Sequence, residues 1–207
     1  MEFITALYNE EKEIPSLLAH VYPQVSHLNI VDDGSTDGTV ALIKAFPDPD
    51  NKIRLEVVEH TGHPEYGFER AQAMADDDWI ILLAADERFI LSTVKKIKQF
   101  VEVPNQYSYV WFTLSEYIDN NLTRTFQKCR LFRKGAAKFP CCIHTGEIYH
   151  GEGYTPNDWV VEHRKTRGKQ VLREAEYLLT YKKLLAEGKI DQDSYNWMVS
   201  LHYFIKE

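Results

Sequence analysis

Positive charge is in short supply: 24 lysines and arginines face 31 aspartates and glutamates, leaving a formal charge of −7. Binding a nucleic-acid backbone needs a concentrated basic surface, so that partner class is set aside. Cysteine is scarce as well. Cys129, Cys141 and Cys142 have neither the even count of a disulfide framework nor the spacing of a zinc site, and they read as packing residues. Long apolar runs are missing; the longest, residues 79–85, is far too short to cross a bilayer. No signal-peptide pattern precedes the first strand pattern, so the expected location is cytoplasmic. The basic cluster Arg164, Lys165, Arg167, Lys169 and Arg173 offers peripheral contact with the inner face of a membrane. Repeats and low-complexity segments are also absent, and 44% hydrophobic with 27% charged residues suits one globular domain over 1–207. Asn121-Leu122-Thr123 matches a glycosylation sequon but reads as a hairpin turn.

What the chain does have is the stretch 29–39, an apolar run ending in Asp32-Asp33-Gly34-Ser35-Thr36-Asp37-Gly38. Leu28, Ile30 and Val31 suit a buried parallel strand, the glycines allow a sharp reversal, and Thr36 or Asp37 can cap a helix that stops before Pro47. Ligands of open α/β sheets bind at the carboxyl ends of strands, which makes Asp32 and Asp33 site candidates from geometry alone.

The same grammar repeats along the first half. A strand over 3–7 enters the loop Tyr8-Asn9-Glu10-Glu11, followed by a helical face of Ile14, Leu17, Leu18 and Val21. A strand over 53–58 follows, then a loop over 60–67 whose His60 and His63 are expected to face water, then a helix over 68–76. The run 79–85 reads as a central strand covered on both faces and ends in Asp86-Glu87. Two acidic strand ends therefore open onto one edge of the sheet. A helix over 91–101 closes this half. Beyond it, residues 107–118 and 125–132 predict a hairpin around Asp119-Asn120-Asn121, and helices are predicted over 169–186 and 194–205.

With these residues in hand the chain resembles the family 2 glycosyltransferases of GT-A fold, and most closely enzymes similar to lipopolysaccharide core glycosyltransferases. The resemblance rests on residues 8–11, the 31–39 turn, the Arg70 helix, 79–87, and Arg130-Leu131-Phe132-Arg133 followed by Ile143-His144. It implies an α/β, Rossmann-like mixed sheet with helices on both faces, followed by a hairpin and C-terminal helices. It further implies a nucleotide-sugar-binding half over 1–103 and an acceptor-side half over 104–207. The donor would be a nucleoside-diphosphate sugar, a UDP-sugar favoured, held by Tyr8, Glu10, Asp32, Asp33, Arg70 and Ala85. An Asp accepting a base N–H makes a charge-assisted hydrogen bond, while Arg70 would pair with Asp33 or a phosphate. Mn²⁺ or Mg²⁺ at Asp86 and His163 would neutralise the leaving diphosphate. The first acidic position of that metal element is Ala84 here, which weakens the metal site.

Inverting displacement needs a base opposite the leaving group. Glu147 is the first choice, with His144 beside it and Glu116, Asp119 and Asp158 as alternatives. The acceptor class would be a glycan or lipid-linked hydroxyl. Two other readings compete with this one. Nucleotidyl transfer would need a Gly-rich, basic loop after the first strand, where Tyr8-Asn9-Glu10-Glu11 is acidic. A degenerate, non-catalytic glycan- or nucleotide-binding protein of the same fold is what Ala84 would permit.

Overall fold

A computed structural model of the chain describes residues 1–62, 64–140 and 147–200. Strand and helix alternate first: β1 (Glu2–Leu7), α1 (Ile14–Val21), β2 (Leu28–Asp32), α2 (Thr39–Ala45), β3 (Ile53–Val57), α3 (Pro64–Ala73), β4 (Trp79–Leu82), β5 (Glu87–Phe89) and α4 (Leu91–Glu102). Then come the hairpin β6 (Tyr109–Ile118) and β7 (Asn121–Arg133), the short pieces β8 (Ala137–Lys138), β9 (Ile148–Tyr149) and β10 (Gly153–Tyr154), the strand β11 (Val160–Lys165), and helices α5 (Arg167–Ala186) and α6 (Gln192–Ser200).

The expected mixed α/β sheet is the architecture found, in the order β3-β2-β1-β4-β7-β6-β11-β5. β1 runs parallel to both β2 and β4, so the ends of all three strands point to one edge. Successive side chains of a strand face opposite ways. Phe3, Leu7, Ile30 and Ile81 accordingly join Ile14, Leu17, Ile43 and Ile97 of α1, α2 and α4 in one core, while Ile4, Val31, Ile80 and Leu82 meet Ala71 of α3 in the other. Gly67 lets α3 approach β1 closely, since a Cβ there would lie 2.6 Å from the Ala6 Cβ.

The second half curls the sheet back on itself. Four strand spacings separate β4 from β5, roughly 19 Å if laid flat, yet the five residue steps from Leu82 to Glu87 span at most roughly 18 Å fully extended. Those steps are not extended, because Glu87 N donates to Ala84 O at 3.1 Å. Only a curled sheet allows both, and curling carries β11 to the end of β4: His163 is in register with Glu87, and Arg164 N donates to Asp86 O at 3.0 Å. The hairpin turns on Asp119 and Asn120, both left-handed with φ of 49° and 66°, the requirement of a two-residue type I′ turn. A bulge between Val110 and Trp111 leaves Arg130 without a cross-strand partner on β6 and turns its side chain inward.

Several boundaries differ from the sequence reading. β4 ends at Leu82, not 85, because residues 83–86 leave the ladder to make the turn into β5. α3 starts at Pro64, whose fixed φ suits the first turn of a helix. α6 is described as far as Ser200, and the remainder of the predicted 194–205 helix lies outside the described residues.

Candidate active site

The turn after β2 is built by its own carboxylates. Asp32 is fully buried and accepts from Ser35 N at 2.8 Å and Ser35 Oγ at 2.6 Å, so it braces the turn. Asp37 accepts from Thr39 N at 2.9 Å at the start of α2. Asp33 hangs from the end of β1, its N–H bonded to Leu7 O at 2.7 Å. Its Oδ1 accepts from Thr61 N at 2.8 Å and Thr61 Oγ1 at 2.9 Å, and its Oδ2 from Gly62 N at 3.0 Å. His60 is about half exposed, as the sequence reading expects of a loop residue facing water, but it is not free of the site. In the fold its ring stacks on Tyr8, centroids 4.0 Å apart at 21°, and its Nδ1 lies 2.9 Å from Asp33 O and 3.0 Å from Asp33 Oδ2. Nothing in the local sequence announces that contact, because the two residues come from different loops. A groove of about 520 Å³ opens beside this loop between α3 and α5, lined by Thr61, Tyr66, Thr180 and Lys183 among others, a size in the range of small-molecule sites.

One strand away, Asp86 stands at the turn from β4 to β5 with most of its side chain buried. His163 Nε2 lies 3.0 Å from its Oδ1, and Lys169 Nζ of α5 lies 3.1 Å from its Oδ2. On the far side of the imidazole, His163 Nδ1 is 3.6 Å from Glu116 Oε2. Glu116 is itself held by Arg124 Nε at 2.8 Å and Lys165 Nζ at 2.9 Å. Lys169 reaches a second carboxylate, Glu10 Oε2 at 2.8 Å, and Arg173 Nη2 meets Glu10 Oε1 at 3.0 Å and Tyr8 O at 3.3 Å. Burial alone would raise the Asp86 carboxyl, but His163, Lys169 and Lys165 more than offset it and hold the group well below the ordinary range. Burial lowers Lys169, and Asp86 and Glu10 turn that into a net rise.

The donor set fits a divalent ion in part. Ala84 contributes no ligand, and among the described residues no three His, Cys, Asp or Glu side chains gather as a metal cluster. Asp86 and His163 do converge, and a carboxylate with an imidazole can anchor an ion whose other ligands are diphosphate oxygens and water. The residues that would hold it are those two.

Three expectations need correction. Arg70 does not meet Asp33; it pairs with Glu56 of β3 and with Tyr66 Oη at 3.0 Å, because its helix presents it to the neighbouring strand. Glu87 is not an edge carboxylate. It turns inward, 1% exposed, onto Arg130, with Nε to Oε2 at 2.7 Å and Nη2 to Oε1 at 2.6 Å, and it accepts from Ala84 N at 3.1 Å. The basic cluster is not a free patch: Lys165, Lys169 and Arg173 face carboxylates of the site, and Arg164 pairs with Glu162 at 3.0 Å.

Both Glu147 oxygens lie 2.9 Å from Lys128 Nζ. Burial raises this carboxyl, and Lys128 and Arg130 bring it below its ordinary value. Asp158 is paired with Lys96. Ala85 is buried beside the site with its carbonyl bound by Arg88 Nη1 at 2.7 Å. His144 and His63 lie outside the described residues.

The family model described as Glycosyl transferase family 2 matches residues 2–155. Among curated proteins, the SPbeta prophage-derived glycosyltransferase SunS of Bacillus subtilis is 25% identical over 171 residues, 73% of this chain and 39% of that one. The chain thus matches well under half the length of that relative. Among solved structures, S. aureus TarS 1-349 in complex with UDP-GlcNAc superposes with a TM-score of 0.61 at 15% identity, covering 96% of this chain and 70% of that one. The mannosyltransferase PcManGT from Pyrobaculum calidifontis, in complex with GDP-Man and Mn²⁺, gives 0.65 at 17% identity, with 98% and 69% covered. At these identities the two structures speak to the fold. No helix among the described residues is long and apolar enough to cross a membrane.

Proposed function

The chain belongs to glycosyl transferase family 2, and on that premise we propose that it moves a sugar from a nucleoside diphosphate, a UDP-sugar favoured, onto a glycan or lipid-linked hydroxyl with inversion. The observation that carries this reading is the convergence, on one sheet edge, of Asp33 at the end of β2 with Asp86, His163 and two cations of α5. Tyr8 offers the ring face against which a base stacks, and Asp33 accepts a base N–H. Thr61 and Gly62 engage three of its roughly four lone-pair sites and His60 Nδ1 lies 3.0 Å from Oδ2, so the base N–H takes the place that His60 holds. Asp32 fixes the turn through Ser35, and Glu10 fixes α5 over the cleft. Mn²⁺ or Mg²⁺ at Asp86 and His163 would supply neutralisation of the departing diphosphate, as the Mn²⁺ of the PcManGT complex suggests. Glu147, kept ionised by Lys128, takes the proton of the acceptor hydroxyl. On this reading His163, Lys169 and Arg173, all beyond residue 103, join the donor site from the proposed acceptor-side half. A cytoplasmic location, at a membrane face for a lipid-linked acceptor, goes with this reading.

Isothermal titration of UDP, GDP and dTDP with Mn²⁺ tests it: at least one nucleotide binds the wild type and loses affinity in Asp86→Ala, and failure of all three overturns the donor class. Ala84 favours one second reading, a nucleotide-binding protein without turnover. Sugar-nucleotide hydrolysis by the wild type, absent in Asp86→Ala, decides for the enzyme.

A further inference from the structure

Lys169 and Arg173 sit four residues apart on α5, hence on one face of the helix, and that face is turned onto the strand ends. The Lys169 ammonium bridges two carboxylates from two separate loops, Glu10 Oε2 at 2.8 Å and Asp86 Oδ2 at 3.1 Å. A bridging cation of any kind would take up that position between the loops after β1 and β4. Asp86 and Glu10 are thus already engaged by the α5 cations, Lys169 spanning both and Arg173 dividing its charge between Glu10 and Glu176, the latter at 3.3 Å. A divalent cation at Asp86 would stand within a few ångströms of the ammonium, where like charges in a poorly solvated site repel strongly. Both cannot keep the same carboxylate.

We propose, resting on the donor site described above, that Lys169 is an exchangeable counter-ion of that site. Without donor it holds the Glu10–Asp86 pair and docks α5 over the cleft; when a metal-bound nucleoside diphosphate arrives it yields Asp86 and, with Arg173, moves onto the diphosphate oxygens. The lysine can do this because its side chain is partly exposed and its charge rides on a flexible four-carbon stem. Arg173 Nη2, already between Glu10 and Tyr8 O, marks the path from the carboxylate pair to the base side. The site thus carries two diphosphate-binding cations on α5, and removing the ammonium changes metal and nucleotide binding in opposite directions.

The test uses the full chain as wild type, Lys169→Met and Lys169→Arg, with folding checked by circular dichroism. Mn²⁺ alone is titrated by electron paramagnetic resonance, and UDP and GDP are titrated by calorimetry in the presence of EDTA. Lys169→Met is expected to bind Mn²⁺ alone on the order of ten-fold more tightly and the metal-free nucleotide on the order of ten-fold more weakly, the scale of one charge-assisted hydrogen bond. Lys169→Arg returns both toward wild type. A merely structural lysine would weaken both ligands together, and that outcome, or an unchanged Mn²⁺ affinity, overturns the inference. If the wild type binds no nucleotide even with Mn²⁺, the donor reading fails and takes the inference with it; if it binds and the opposed shifts are missing, the inference fails alone.

Discussion

Cutting either half of the Glu87–Arg130 pair is expected to be among the most damaging single changes in the chain. The guanidinium and carboxylate are 6% and 1% exposed and meet through two bonds of 2.7 and 2.6 Å, with Ala84 N and Cys129 O as further partners. Removing one partner leaves an uncompensated buried charge, which costs about 3–5 kcal/mol. At about 2–4 °C per kcal/mol for a domain of this size, Arg130→Met or Glu87→Gln should lower the melting temperature by roughly 6–20 °C. In the double variant neither charge remains, and Gln can still accept from Ala84 N. Its loss should therefore fall at least about 2 kcal/mol short of the sum of the singles. Urea unfolding of all four proteins measures this cycle. Strictly additive losses, or singles costing under about 1 kcal/mol each, would show that the bulge at Arg130 has not created a coupled pair. The pair also has a pH signature. Burial raises Glu87, but Arg130 more than offsets it, so the folded carboxyl sits below its ordinary value. A depressed acid stabilises above the unfolded-state value of about 4.3, and that contribution is lost as pH falls through the lowered folded value. Wild-type stability should therefore fall with acid below about pH 4, and Glu87→Gln should fall less steeply over the same window.

Three further outcomes follow from the same geometry. Glu147→Gln should lower kcat by about 10²- to 10⁴-fold while calorimetry finds donor affinity nearly unchanged, and a matching loss of donor affinity would take Glu147 away from the base role. His60→Ala removes the ring stacked on Tyr8, and nucleotide affinity should rise by about three- to ten-fold if His60 covers the base position, given stacking worth about 0.5–1.5 kcal/mol; weaker binding would make His60 a wall of that position instead. Gly67→Ala would set a Cβ 2.6 Å from the Ala6 Cβ, and thermal melting should report a loss of about 1–3 kcal/mol from overpacking between α3 and β1.

Much of this fold can be read from local pattern. The continuous apolar run of β4, the largely apolar β1 and β2 and the amphipathic faces of α1 and α4 depend only on neighbours along the chain, and the parallel arrangement follows from the alternation of strand and helix. The Asp33 and Asp86 strand ends are visible for the same reason. Glu87 misleads because it directly follows Asp86, and only the Arg130 bulge, 43 residues away, decides that it points inward. Arg70 misleads likewise, since its partner Glu56 lies on another element. His60 is unremarkable in a loop of Gly and Thr until the fold sets Tyr8 against it.

By itself, the sequence determined the class of the sheet and the edge on which the strand-end carboxylates gather, because hydrophobic periodicity and strand-end carboxylates are short-range properties; the weakness at Ala84 is implied by the family resemblance alone. The family resemblance had already paired His163 with Asp86; the tertiary structure alone decided that Lys169 joins them and how both reach the carboxylate. His163 and Lys169 lie 77 and 83 residues beyond it and reach it through the curl of the sheet and the docking of α5. Those placements are set by strand order and chain reach, and no local pattern encodes either.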